Sequence, residues 1–258
     1  MNTASRLVAA TIAITAPYYL YNLTRSISSV PSSHTRTGTP PPSFLKSKTH
    51  LGIVNPRVHK GLIDSRSITF KLPPTRQSWS DEQILATFVQ GYFGGWVFTP
   101  ERRALGLLSS LLRRRVVGFS AIQDDSQHPQ IWSYNDLSQR KLPPLHATLF
   151  GAFQVVDYHL STNGNDQDPG LSDTSYVDFG FGSDTSHFSG FHRFSVLRDL
   201  SDGPGVSPRS SDTVTITNSS IACNPSSNTL LGIGALHGFH KAYAMLLFRE
   251  GVARVMTP

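Results

Sequence analysis

The run VDFGFGSDTSHFSGFHRFSV, residues 177–196, brings Asp178, Asp184, His187, His192 and Arg193 close together in the chain. Histidine titrates nearest to neutral pH and is suited to proton transfer. His192 as general base or acid, oriented by a carboxylate such as Asp178 on a neighbouring strand, would allow an enolisation, a dehydration or an aldol-type cyclisation without a cofactor. Strand alternation sets a condition on this pair. Tyr176, Asp178, Gly180 and Gly182 share one face, and Val177, Phe179 and Phe181 the other. On the second run Phe191, Arg193 and Ser195 share a face, and His192, Phe194 and Val196 the other. Asp178 therefore falls on the face away from His192 unless a bulge at Gly180 or Gly182 realigns it. Asp184 and His187 lie in the connection 183–190, where they are free to hydrogen-bond locally. The same stretch also reads as a hairpin with a polar turn and a structural His192.

Other groups offer less. Asp157 and His159 sit at i,i+2 on one strand face, an acid/base-like spacing. His237 and His240 sit at i,i+3 on a helix, neighbours on its surface but without an accompanying H-E-x-x-H. His146 follows Pro143-Pro144 at a strand entrance. Gly232-Ile233-Gly234 lacks the strand–turn–helix context of a dinucleotide loop. The sequence contains no Walker motif, no G-x-S-x-G and no His/Cys metal set, so neither a cofactor nor a metal is expected. The single cysteine, Cys223, rules out an intrachain disulfide and reads as a small core residue.

The elements that would position these residues follow from pattern. Ser65–Leu72 alternates polar and apolar residues and reads as a strand. Ser80 is a good N-cap, followed by Asp81 and Glu82 in a first turn and by Ile84, Leu85, Phe88 and Val89 as an apolar stripe ending at Gly91–Gly95. Thr99-Pro100 starts a second helix, with Leu105, Leu108, Leu111 and Leu112 apolar and Arg113–Arg115 at its end. Strands are expected over Val116–Ile122, Leu149–Leu160, Tyr176–Phe181, Gly190–Leu197 and Thr213–Ile221, separated by loops at 161–173 and 201–212. A long helix runs from about Leu236 to Met256, with Glu250 and Arg254 as an i,i+4 pair. Strands joined in order with a long helix on one face make an α+β domain.

The N-terminal part differs in composition. Residues 7–21, LVAATIAITAPYYLY, are largely apolar and bracketed by Arg6 and Arg25, with tyrosines where a membrane interface would place them. Pro17 and the short run make a marginal span. A signal anchor, a cleaved secretory signal and a mitochondrial presequence all fit in part, so a membrane-associated protein with an anchor at 1–25 stands beside a mitochondrial alternative. Residues 26–60 are Ser/Thr/Pro-rich and read as linker, leaving 61–258 as the globular domain. Asn22 and Asn218 match the N-glycosylation pattern, which matters only if they reach the secretory lumen. The first acidic residue is Asp64. Beyond residue 63 the chain holds 16 basic against 17 acidic residues, so the formal charge of +6 resides in the N-terminal part. Nucleic acid is not an expected partner.

The element order resembles the helix-grip fold of START-like and polyketide-cyclase-like proteins, in which a curved antiparallel sheet wraps the C-terminal helix around an apolar cavity. GYFGGWVFTPERRALGLL, YVDFGFGSDTSHFSGFHRFSV, CNPSSN and FHKAYAMLLFREGVARVM resemble an uncharacterised fungal family, several members of which sit beside secondary-metabolism genes. That family has no established catalytic motif to carry over. The resemblance implies a small-molecule tailoring protein that binds an apolar polyketide- or terpenoid-like ligand, with cofactor-independent cyclisation, isomerisation or dehydration as the reaction. A non-catalytic metabolite carrier and a membrane-tethered accessory protein are the alternatives.

Overall fold

The computed structural model describes residues 3–112, 116–123, 128–161, 174–199, 212–232 and 234–257. The chain folds as an α+β domain built on one eight-stranded sheet. In chain order the strands are β1 (Arg36–Gly38), β2 (Gly61–Lys71), β3 (Gln130–Ile131), β4 (Thr148–Leu149), β5 (Phe153–His159), β6 (Ser175–Gly182), β7 (Ser189–Arg198) and β8 (Thr213–Cys223). Their order across the sheet is β1-β2-β8-β7-β6-β5-β4-β3. Every neighbouring pair is antiparallel except β3 and β4. The helices are α1 (Thr3–Ser28), α2 (Pro42–Leu45), α3 (Asp81–Gly94), α4 (Thr99–Leu112) and α5 (Gly234–Met256).

Helix α3 begins where its caps dictate. The Ser80 hydroxyl accepts from the Gln83 N–H at 3.3 Å, and the Gln83 side-chain oxygen accepts from the Ser80 N–H at 2.9 Å. This reciprocal box satisfies two helix-end donors. Ser80→Ala is expected to cost about 1 kcal/mol in chemical denaturation, and an unchanged midpoint would remove the cap from the account. The glycines of α3 serve packing. A Cβ on Gly91 would come within 2.7 Å of the Arg254 Cβ and 2.9 Å of the Gly251 Cα, so α3 and α5 cross with their backbones nearly touching. Phe88, Tyr92 and Phe93 of α3 and Phe248 of α5 then fill the principal core against Val177, Phe179, Phe194 and Val196 of the sheet.

Several expectations need correction. Glu250 does not pair with Arg254: its carboxylate turns inward and accepts from the Trp96 and Val97 N–H groups, at 2.7 Å each. Those donors open the turn into α4 and would otherwise be buried without partners. Val116–Ile122 is irregular rather than a strand. Its backbone is tied instead to two turns, through Val116 N–H to Gly151 O and Gly118 N–H to Gly182 O. Leu149–Leu160 is split into β4 and β5 by a tight turn with positive φ at Phe150 and Gly151.

The largest correction concerns the expected linker. Residues 42–55 run over the sheet face opposite α3 and α5, and Phe44, Thr49, His50, Ile53, Val54 and Asn55 are all buried there. Phe44, Ile53 and Val54 form a second core with Val117, Phe119, Val156, Phe191 and Ile221. The Ser/Thr/Pro content hid a few well-spaced apolar residues. The sheet is thus covered on both faces.

Helix α1 lies against α5 through Leu23 and Ile27. The Arg249 guanidinium donates to the Val30 and Ile27 carbonyls, and the Tyr19 hydroxyl donates to the Trp96 carbonyl. Among the described residues no helix is long and apolar enough to cross a membrane. Arg113–Arg115, most of both long loops and Ile233 lie outside the described residues.

Candidate functional site

Strands β6 and β7 pair without interruption, placing Asp178 opposite Arg193 and Phe179 opposite His192. No bulge occurs at Gly180 or Gly182. The irregularity lies on β5 between Val155 and Asp157, and it aligns Asp157 with Asp178. His192 and Asp178 therefore point to opposite sides of the sheet and do not form a pair.

Asp178 is fully buried under the 42–55 strap. Its two oxygens accept from Arg193 Nε at 2.7 Å and Nη2 at 2.6 Å, and Thr49 Oγ1 adds a third bond at 2.5 Å. The guanidinium stacks on Tyr176, 3.8 Å from the ring centroid, and the Tyr176 hydroxyl donates to Asp157. Burial pushes the Asp178 carboxyl up, and Arg193 and Thr49 work against that shift. Both Asp178 oxygens are engaged by Arg193 and Thr49, so this is the clamp holding the strap to the sheet. Asp184 is likewise occupied: its carboxylate accepts from the Ser120 N–H at 2.8 Å and from the Ser120 hydroxyl. His187 is exposed on the connecting turn and does not meet it. Asp157 and His159 both border Tyr176. His240 is exposed on α5, and the His237 side chain lies outside the described residues.

His192 instead faces α3, where the register assembles a different group. One row across the sheet carries Asp64, Ser220 and His192, and the adjacent row Arg66, Asn218 and Phe194. Arg66, Asn218 and His192 are 3%, 2% and 8% exposed. Asn218 neighbours both the His192 imidazole and the buried Tyr92 hydroxyl. Arg66 pairs with Asp64 and donates through Nη2 to the Lys241 carbonyl at 3.1 Å, on the N-terminal half of α5. Yet Arg66 Nε, His192 Nδ1 and Asn218 Oδ1 have no hydrogen-bond partner. Buried polar atoms are paired in the great majority of cases, so these three, beside an Asp64 Oδ2 held only by its ion pair with Arg66, require explanation.

The electrostatics of this group are those of a dry site. Burial above all, then His240 and Arg66, pushes the His192 imidazole down to about 3, so it is neutral near pH 7. Burial raises the Tyr92 hydroxyl well above its ordinary range, and Glu101 adds to that shift. Glu101, at the start of α4, accepts from the Tyr243 hydroxyl at 2.7 Å. Burial pushes its carboxyl up, opposed by that hydrogen bond. A raised carboxyl hydrogen-bonded to the Tyr243 phenol and felt by the Tyr92 phenol is equipped to exchange a proton with a carbonyl or hydroxyl.

Of this group only His192 was singled out in the sequence. Asn218 stood there as a glycosylation pattern, yet it is buried in mid-strand, where no glycan fits. Arg66 lay within an ordinary alternating strand, Asp64 stood just before it, and Glu101 was only the residue after Thr99-Pro100 at a helix start. Their period-2 alternation with Ile68 and Ile216 was the available signal. Among the described residues no group of three or more His, Cys, Asp or Glu is placed to hold a metal. Comparison of the chain with family models, curated proteins and solved structures finds no match.

Proposed function

We propose that the protein binds a small, largely apolar molecule between the sheet and helices α3–α5, with the molecule's polar end at Arg66, His192 and Asn218. The supporting observation is the three orphaned buried atoms, one of them a guanidinium donor and one an amide acceptor. A ligand with an oxygen acceptor beside a hydroxyl donor, such as an enolised ketone, would satisfy them. The aromatic surroundings of His192, namely Tyr92, Phe153, Phe181 and Phe194, suit the apolar remainder. In this reading the domain is a helix-grip-like container, in keeping with the fungal secondary-metabolism resemblance.

The reaction proposed is a cofactor-independent cyclisation, isomerisation or dehydration. Glu101 would exchange the proton, and Arg66, His192 and Asn218 would stabilise charge developing on the substrate oxygen. Asp178, Asp184 and His187 take no part. A carrier would use the same groups only to orient its cargo. A fungal deletion strain separates the two: complementation with Glu101→Gln should leave a substrate accumulating while the ligand still co-purifies. Full restoration of metabolite flow by that variant would reject catalysis by Glu101.

Membrane association through residues 1–25 belongs to the same proposal, supported by exposed Tyr18, Leu20 and Tyr21 on α1. Deleting residues 1–25 should move the protein from the membrane pellet to the soluble fraction. Continued pelleting would reject the anchor.

A further inference from the structure

We infer that His128 and His146 form a binding site for a divalent late transition metal ion of the Zn2+ class, on the strap side of the sheet and separate from the His192 group. The site comes from two short parallel segments. His128-Pro129-Gln130 leads into β3 and His146-Ala147-Thr148 into β4, and the pairing sets Gln130 beside Thr148. Equal spacing then sets His128 beside His146. On the far side of β4, Thr148 pairs with Gln154 of β5, so Gln130, Thr148 and Gln154 form one row.

Five buried atoms here have no hydrogen-bond partner: His128 Nδ1, His146 Nδ1, Gln130 Oε1, Gln154 Oε1 and Thr148 Oγ1. All five can offer a lone pair. The amide N–H groups of both glutamines are already used, on the His128 carbonyl at 3.3 Å and the His146 carbonyl at 3.4 Å. That leaves both amide oxygens turned inward. Gln154 and Thr148 are 5% and 1% exposed, so solvent does not satisfy them. A cluster of buried atoms that can all accept is what a cation requires, and the paired imidazoles suit the late first-row metals.

The spacing of the rings agrees. Two imidazoles on one tetrahedral Zn2+ bring their ring centroids to about 5 Å; those of His128 and His146 are 5.0 Å apart. His146 is held there at φ 65, a left-handed conformation uncommon outside glycine and of the kind found at functional sites. Lys48, whose charge acts on His146, is exposed, so its repulsion is screened by solvent.

The test is titration of the chelator-treated full chain with Co2+, followed by displacement with Zn2+. One equivalent of Co2+ should bind with visible d–d absorption and be displaced by Zn2+. His128→Ala and His146→Asn should each weaken binding by at least about tenfold; asparagine tolerates the left-handed backbone. Gln154→Glu, which exchanges an amide oxygen for a carboxylate, should tighten binding, and this gain does not depend on the histidine variants folding. Absence of saturable uptake by the wild-type chain would overturn the site. So would uptake unchanged in both histidine variants, or Gln154→Glu binding no more tightly than wild type.

Discussion

Asp178→Ala is expected to destabilise the domain by about 3–5 kcal/mol, because it leaves the Arg193 guanidinium buried without its counter-charge. Arg193 is 12% exposed at its side chain, and its Nε and Nη2 both donate to Asp178. The same substitution frees the Thr49 hydroxyl, so the strap loses its tie to β6 along with the ion pair. Urea unfolding would measure the loss. The double variant Asp178→Ala/Arg193→Met should recover part of it, since removing both charges abolishes the uncompensated one. A cost below about 1 kcal/mol for Asp178→Ala would mean that Arg193 finds solvent and that the clamp is not structural.

The second large effect is on pH dependence. His192 has a folded pKa of about 3, against about 6.5 for an unperturbed histidine. As pH falls below about 6.5 the unfolded chain takes up a proton that the folded chain refuses, and stability declines until the folded pKa is reached. Stability from the neutral imidazole is therefore present above pH 6.5 and lost between there and pH 3. The slope is at most about 1.4 kcal/mol per pH unit, or about 4 kcal/mol over the window. Glu101 and Glu250, whose carboxyls are raised by burial, act in the opposite direction. The comparison is therefore made against His192→Phe, in which both remain. The variant should lose less stability than wild type on going from pH 7 to pH 3.5. Parallel curves for the two proteins would show that His192 is not held neutral.

Much of the fold was legible because it rests on short-range signals. Ser80 with Gln83, the stripe through Ile84 and Phe88, and the alternation through β6, β7 and β8 are local patterns with local causes. The strap was not legible. Phe44, Thr49 and Val54 bury themselves only because Asp178, Phe191 and Ile221 lie across the chain to receive them, and composition carries no trace of that partner. Val116–Ile122 failed for a related reason: its apolar residues pack as a loop against the second core without entering the ladder.

The site was half legible. Simple alternation already separated His192 from Asp178, and the structure follows alternation. The residues that do surround His192 are distant in sequence, since Arg66 and Asn218 meet only through the β2–β8 pairing. His128 and His146 meet through a parallel pair of two-residue strands, too short to read in sequence. Strand β2 explains why the group is polar at one end. Its inward residues change from Ile68 and Phe70 to Arg66 and Asp64 within two turns of the pleat, which also marks where helix packing gives way to a polar end.

The central claim is that Arg66, His192 and Asn218 meet the polar end of a bound small molecule. Native mass spectrometry of the full chain, purified from a fungal host, tests it most directly, beside Asn218→Leu and His192→Phe. The full chain is needed because Phe44 and Thr49 of the strap are part of the fold. The account predicts a co-purifying small molecule of discrete mass on the wild-type protein, diminished in both folded variants. A ligand-free wild-type chain, or an adduct carried equally by all three proteins, would contradict it.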